Sequence, residues 1–121
     1  MESYTGNKYI TVLMTSPDRE EATKIARSLL EERKAACVSI FPKGESYFWW
    51  DGKINLGEEY LLISKTREEL LPDLIETVKK IHSYDVPEII ALPITGGSRD
   101  YLDWLGKETK DVENKDVEKE R

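Results

Sequence analysis

An aromatic hairpin in the middle of the chain constrains the fold more than any other feature. Four consecutive aromatic residues, 47–50, are followed by Asp51-Gly52, a pair that favours a two-residue turn with positive φ at both positions. Successive strand side chains point to opposite faces, so the four rings cannot share one side. A small domain covers only one face of its sheet with helices, which leaves one aromatic face for self-association. The alternative is a hairpin that lies back on its own chain.

Strand and helix patterns follow one another in the order β-α-β-β-α-β. Strands are predicted at 8–15, at 36–41 and 46–50, at 54–65, and in the apolar run after Val86, which is expected to be buried. Pro42, which interrupts the second of these, is expected to mark a bulge or an edge position. The order is that of the ferredoxin-like unit, in which two split βαβ crossovers share an antiparallel sheet. We therefore expect an α+β fold in which residues 1–109 form one domain with an added C-terminal helix.

Local cap signals predict where the helices begin. Ser16 is expected to cap the first helix, and Thr66 to start a capping box for the second. The regular part of the second helix can instead begin nearer Pro72, after a looser turn. A Gly96-Gly97 turn is expected to lead to Ser98 as the cap of the short third helix.

Composition and charge exclude several classes of protein. The net charge of −6, with 18 basic residues interleaved among acids, disfavours nucleic acid as a partner. No stretch approaches the roughly 18 apolar residues of a membrane helix, and the first residues lack a secretory pattern, so a cytoplasmic protein without a membrane partner is expected. The absence of glutamine is typical of thermostable proteins. The charged tail at 110–121 is too polar to drive packing and is expected to be disordered.

The single histidine and the single cysteine limit the possible chemistry. His82 can be a metal ligand, a general base or a polar cap that closes the second helix. Cys37 lies in a predicted strand, where a free cysteine usually acts as a small hydrophobic residue. No phosphate-binding glycine loop is present, and a nucleophile would have to find His82 across the fold. The chain is therefore not expected to be an enzyme.

The predicted topology separates the candidate residues into two groups. Met14, the Asp51-Gly52 turn and the connection 82–88 are expected at one end of the sheet, whereas Cys37 and Lys65 are expected towards the other end. Each group gathers residues from elements that are distant in sequence.

Several separate blocks of the sequence resemble the CutA family of divalent-cation tolerance proteins. The blocks are ACVSI, SYFWWDGKI, LISKT, IHSYDVPEIIALPI and DYLDWL, and the match covers about residues 8–108. The resemblance implies a ferredoxin-like subunit in a compact trimer similar to PII signalling proteins, and a link to copper and other divalent cations. The family's copper site, a cysteine and two adjacent histidines, maps onto Met14, Ile81 and His82, and only His82 matches.

Together these observations predict a non-enzymatic, PII-like homotrimer that binds a divalent cation, copper among them, or a small anionic ligand at clefts between subunits and takes part in metal tolerance or signalling. The candidate residues are Cys37, Trp50, Lys65, Tyr84 and Glu88 for a ligand cleft, and His82 and Met14 for a metal. Two alternatives remain open. One is a structural trimeric scaffold that presents a partner protein, and the other is a metal-assisted hydrolase that uses His82 and Glu88 around one ion.

Overall fold

A four-stranded antiparallel sheet with three helices forms the fold, in a computed structural model that describes residues 3–111 of the chain. The elements are β1 Ser3–Ser16, α1 Arg19–Glu31, β2 Cys37–Trp50, β3 Lys53–Arg67, a 3-10 turn Glu68–Leu70, α2 Leu71–Ile81, β4 Ile89–Ser98 and α3 Arg99–Glu108. The spatial order of the strands is β2-β3-β1-β4, and all three pairings are antiparallel. The predicted α+β, ferredoxin-like βαββαβ fold with an added C-terminal helix is confirmed.

Helix α1 begins two residues later than the sequence predicts. Ser16 is fully buried and remains in the strand, opposite Tyr60, so it cannot be the cap. Asp18 caps the helix instead, because its side chain accepts the Glu21 backbone N–H at 2.8 Å. The helix ends at Glu31, before Arg33, whose φ of 59° is in the left-handed region.

Helix α2 follows the alternative prediction. Thr66 does not start a capping box, because it lies inside β3 and its buried hydroxyl donates to the Lys34 carbonyl at 2.8 Å. A 3-10 turn separates β3 from the helix, and Pro72 occupies its first turn. The regular helix therefore begins near Pro72, as the alternative holds.

Strand β4 differs from its prediction in burial and in length. It lies at the edge of the sheet, and Ile90 and Leu92 are 50% and 49% exposed, so the apolar run is not buried within one chain. Gly96 and Gly97 do not form a turn. They extend β4 by pairing with the N-terminal part of β1, and Ser98 occupies the N-cap position of α3, as predicted.

The hydrophobic core lies between the sheet and helices α1 and α2. Alternate residues of β1 point into it, with Val12 and Met14 fully buried against helix residues such as Ile25 and Leu74. Tyr9 points to the opposite face, where it packs against Leu102 and Leu105 of α3. By strand alternation and register, most of this opposite face carries apolar side chains that no described helix covers. We call it the open face: Leu13, Phe41, Leu61, Ile63, Ile90 and Leu92.

The aromatic hairpin extends beyond the sheet as a two-stranded ribbon. Strand β1 pairs with β3 only from Tyr60 onward, so residues 44–59, which we call the arm, have no third strand in the described chain. Asp51 and Gly52 have φ values of 54° and 77°, which confirms the predicted turn. The register of β2 against β3 shifts between Phe41 and Gly44, which confirms a bulge at Pro42. Trp49 is 72% exposed, so the alternative of a hairpin lying back on its own chain is wrong for the described residues.

The C-terminal end of the described chain is held against the body of the domain. The Lys110 N–H donates to the Arg33 carbonyl at 2.8 Å, and the Lys110 ammonium lies 3.2 Å from Asp73. The predicted disordered tail begins at residue 110, and its residues 112–121 lie outside the described residues, so the domain boundary stays a prediction. None of the helices within 3–111 has the length and apolar character needed to cross a membrane.

Candidate functional site

A cleft of about 630 Å³ opens along one side of the arm, between the ribbon and the connection from α2 to β4. Its aromatic walls are Tyr47, Phe48, Trp50 and Tyr84, and three carboxylates line it, those of Glu59, Asp85 and Glu88. The elements meet here because the end of β1, the base of the arm and the end of α2 lie at the same edge of the sheet. The predicted convergence of these segments is therefore found in the structure.

Three of the five predicted cleft residues line this cleft and two do not. Trp50, Tyr84 and Glu88 belong to it. Cys37 and Lys65 are paired with each other across β2 and β3, towards the other end of the sheet, and Cys37 is a partly buried free thiol. Within one chain, the structure does not bring the two groups together.

Glu59 and Asp85 are cleft residues that the sequence analysis missed. Glu59 shares a face of β3 with Leu61, which pairs with Thr15, another residue of the cleft. Strand alternation places Glu59 and Leu61 on the same face of β3. It predicts that Glu59 lies near Thr15 only once the register between β1 and β3 is known. Asp85 lies in an irregular connection, for which no periodic signal exists.

A hydrogen bond from Tyr84 orients the Glu59 carboxylate. The Tyr84 hydroxyl donates to Glu59 Oε2 at 3.3 Å. Burial raises the pKa of Tyr84 above the ordinary tyrosine value of 10.0, and the negative charge of Glu59 raises it further. The phenol therefore stays protonated at neutral pH and remains a donor to the carboxylate.

We expect Tyr84 to ionise at a higher pH than an exposed tyrosine. Replacing Glu59 with glutamine should lower the pKa of Tyr84 only partly, because burial is the larger cause of the shift. The measurement is the tyrosinate absorbance of each protein against pH, with the matching Tyr84→Phe spectrum subtracted to remove the other five tyrosines. A Tyr84 curve with a midpoint at or below 10.0 would show that the ring is open to water.

His82 holds the connection in place through both of its ring nitrogens. Nε2 lies 2.7 Å from the Thr15 carbonyl, and Nδ1 accepts the Tyr84 backbone N–H at 3.1 Å. These partners select the neutral tautomer with the proton on Nε2. The Glu21 carboxylate lies 3.4 Å from Nδ1, and the imidazole itself is fully buried. His82 is also the C-cap residue of α2, which is the cap interpretation left open by the sequence.

The residues predicted to bind metal do not form a metal site within one chain. Met14 is fully buried and belongs to the hydrophobic core, and the two ring nitrogens of His82 already have backbone partners. A tight transition-metal site needs several converging donors. In residues 3–111, no group of three or more His, Cys, Asp or Glu side chains is placed to hold an ion. A resident copper ion therefore does not fit the isolated chain as it stands.

Comparison with known proteins identifies close relatives over most of the chain. The family profile described as CutA1 divalent ion tolerance protein matches residues 10–108. "Protein CutA 1, chloroplastic" from rice is 51% identical over 102 residues, which are 84% of this chain and 58% of that protein. The chain thus spans little more than half the length of this plant relative. "Divalent-cation tolerance protein CutA" from Thermus thermophilus is 50% identical over 98 residues, 81% of this chain and 95% of that protein.

Solved structures agree with these sequence matches. The crystal structure of CutA1 from rice superimposes with a TM-score of 0.85 at 49% identity, and the alignment covers 89% of this chain and 99% of that chain. The fold of this chain is therefore the one found in that crystal structure.

Proposed function

The chain belongs to the CutA1 divalent ion tolerance protein family, and from this membership we propose that it takes part in the tolerance of divalent cations as a non-enzymatic homotrimer. The relatives named as divalent-cation tolerance proteins support the cellular role. The observation that carries the proposal is the cleft beside the arm, where the lining residues within the described chain include three carboxylates and no Lys, Arg or His side chain. Such a cleft attracts cations. A cytoplasmic location is part of the proposal.

The position of the only imidazole supports a role without catalysis. A general base must be free to take a proton from a substrate, whereas both nitrogens of His82 are engaged by backbone groups. The hydrolase alternative needs His82 and Glu88 around one metal ion. Glu88 lines the cleft, whereas the His82 ring is fully buried and packs against the Tyr84 ring. This geometry does not favour that alternative.

Two uncovered apolar surfaces support assembly from several copies. The open face of the sheet exposes Phe41, Ile90 and Leu92 by about half each. The arm exposes a second apolar side, where Trp49 pairs with Ile54 and the two are 72% and 62% exposed, whereas Trp50 faces the cleft. A chain with both surfaces open to water is expected to associate. The number of three copies comes from the resemblance to the family.

Copper binding by His82 and Met14 remains a prediction that requires a local change. A copper ion can reach His82 Nδ1 only if the Tyr84 N–H leaves it, and the nearest charged partner is then Glu21. Met14 lies in the core and offers a thioether, which suits Cu(I) better than Cu(II). Because a hydrogen bond must be lost first, we expect any copper binding at this position to be weak.

Titration of copper into the wild type and three variants tests these ligands. His82→Ala and Glu21→Gln are expected to weaken copper binding further, because the first removes the Nδ1 ligand and the second removes the negative charge of the carboxylate 3.4 Å from it. Met14→Leu keeps the volume of the side chain and removes only the sulfur, so it is the matched test of the thioether. Native mass spectrometry of protein purified without chelator reports the number of chains and any retained ion in the same measurement. Equal copper affinities for wild type and His82→Ala would remove His82 from the metal site.

A second candidate is ligand-dependent signalling of the PII-like type. The size and the aromatic walls of the cleft favour it, because small-molecule sites are concave, largely apolar and carry a few placed polar groups. In this role the bound ligand reports a metabolic state to a partner protein. The scaffold alternative differs because it needs no ligand in the cleft.

A further inference from the structure

The cleft combines aromatic walls with negative charge, and this combination attracts cations in general but does not provide a tight site for a small metal ion. Divalent cations need several oxygen, nitrogen or sulfur atoms converging at about 2.0–2.6 Å. Within the described chain the three cleft carboxylates do not form such a group. Aromatic ring faces offer a metal ion no donor atom, but they attract organic ammonium groups and cover methylene groups. The lining therefore favours a cation that is extended and partly apolar.

The aromatic wall is shaped by the alternation of the arm. Phe48 and Trp50 lie on one face of β2 together with Ser46, whereas Trp49 lies on the other face. The Phe48 ring lies over Gly57, where an added Cβ would meet a ring carbon at 3.4 Å. Because Gly57 has no side chain, the ring can lie close to the ribbon and leave the cleft open.

One carboxylate of the cleft, that of Glu59, is held in position before any ligand arrives. The Tyr84 hydroxyl engages one oxygen of Glu59, which leaves the other oxygen available to a ligand. The Tyr84 backbone is in turn fixed by His82, which contacts the end of β1. A cation therefore meets a carboxylate that is already oriented, so little side-chain entropy is lost when the cation binds.

We propose that this cleft binds a linear aliphatic polyammonium ion, with its ammonium groups beside Glu59, Asp85 and Glu88 and its methylene groups against Phe48, Trp50 and Tyr84. The charge complementarity is direct, because the three charged side chains that line the cleft in the described part of the chain are all acidic. A small metal ion uses the charges alone, whereas an aliphatic chain with several ammonium groups uses both the charges and the rings. The proposal is separate from copper binding, since it involves neither nitrogen of His82 as a ligand.

The test is calorimetric titration of spermidine into the full chain. We expect wild type to bind, and Glu59→Gln and Trp50→Ala to weaken binding by roughly tenfold each. Glu58→Gln is the matched control: it removes the same charge from the adjacent position of β3, which points to the opposite face. Spermidine binding by Glu58→Gln is expected to stay within about twofold of wild type. Glu58, Glu59 and Trp50 are not core residues, and circular dichroism verifies that the variants fold.

Two ligand controls separate the proposed recognition from simple charge attraction. Magnesium at matched ionic strength supplies charge without methylene groups, and an uncharged diol of similar length supplies methylene groups without charge. We expect neither to displace spermidine. The proposal is overturned if wild type does not bind spermidine, if Glu58→Gln and Glu59→Gln lose equal affinity, or if magnesium or the diol competes as well as spermidine itself. None of these results affects the copper titration, so the two proposals fail independently.

Discussion

Replacing Leu92 with glutamate is expected to separate the assembled protein into single chains. Leu92 is 49% exposed on edge strand β4 and lies in the open face, opposite Thr11 of β1. A carboxylate there remains hydrated in the isolated chain, so the fold tolerates it. At an interface between copies it would be buried without a partner in every subunit, at a cost of several kcal/mol per ion. We expect sedimentation to report a three-chain particle for wild type and about 14.0 kDa for Leu92→Glu.

The control for this experiment introduces the same charge on a surface outside the open face. Leu30 is 40% exposed on α1, which packs on the other side of the sheet, so Leu30→Glu should leave the sedimenting mass unchanged. Two results contradict the prediction. Wild type that sediments as a 14.0 kDa particle when dilute would remove the premise of assembly, and Leu92→Glu that stays associated would exclude this part of the open face from the interface.

Shortening Met14 to alanine is expected to lower the free energy of unfolding by about 3 kcal/mol, within the range of about 2–5 kcal/mol typical of large core side chains. Met14 is fully buried among residues of β1, β3 and both core helices, so its removal leaves a cavity that the packed surroundings fill only in part. Met14→Leu conserves the volume and should cost less than about 1.5 kcal/mol. Denaturant unfolding at one fixed protein concentration measures both, because assembly makes apparent stability depend on concentration.

The two Met14 variants also distinguish packing from metal binding. If the side chain is only a core residue, Met14→Leu keeps both the stability and the copper affinity of wild type. Loss of copper binding with stability intact would show instead that the thioether is a ligand. A negligible effect of Met14→Ala on stability would contradict the tight packing seen around this side chain.

The fold was predictable because periodicity is a local signal that the tertiary structure respects, whereas several boundaries depend on distant partners. Ser16 carries a good capping signature but pairs with Tyr60 in the sheet. Thr66 carries another, but its hydroxyl is used by Lys34, which is 32 residues away. Gly96-Gly97 has the composition of a turn, and only the N-terminal extension of β1 makes it a strand. In each case a long-range hydrogen bond overrides local propensity.

The candidate site was predictable only in part, for the same reason. The topology alone brings Trp50, Tyr84 and Glu88 to one end of the sheet, where the cleft is found. The state of His82 depends on a bond to the Thr15 carbonyl, 67 residues away, which no spacing pattern could indicate. Cys37 and Lys65 are chemically plausible ligands, but the strand register places them far from the cleft in a single chain.

The continuity of β3 has a consequence for regulation. The strand is continuous from the arm into the sheet, where it pairs with β1. The arm is therefore attached to the sheet at one end only, and Glu59 lies at that end. A neighbouring subunit that contacts the tip of the arm would change the orientation of the arm at Glu59. A molecule bound beside Glu59 would likewise change the orientation of the tip. By thermodynamic linkage, if subunit association changes the affinity of the arm for a ligand by some factor, the ligand changes the affinity between subunits by the same factor.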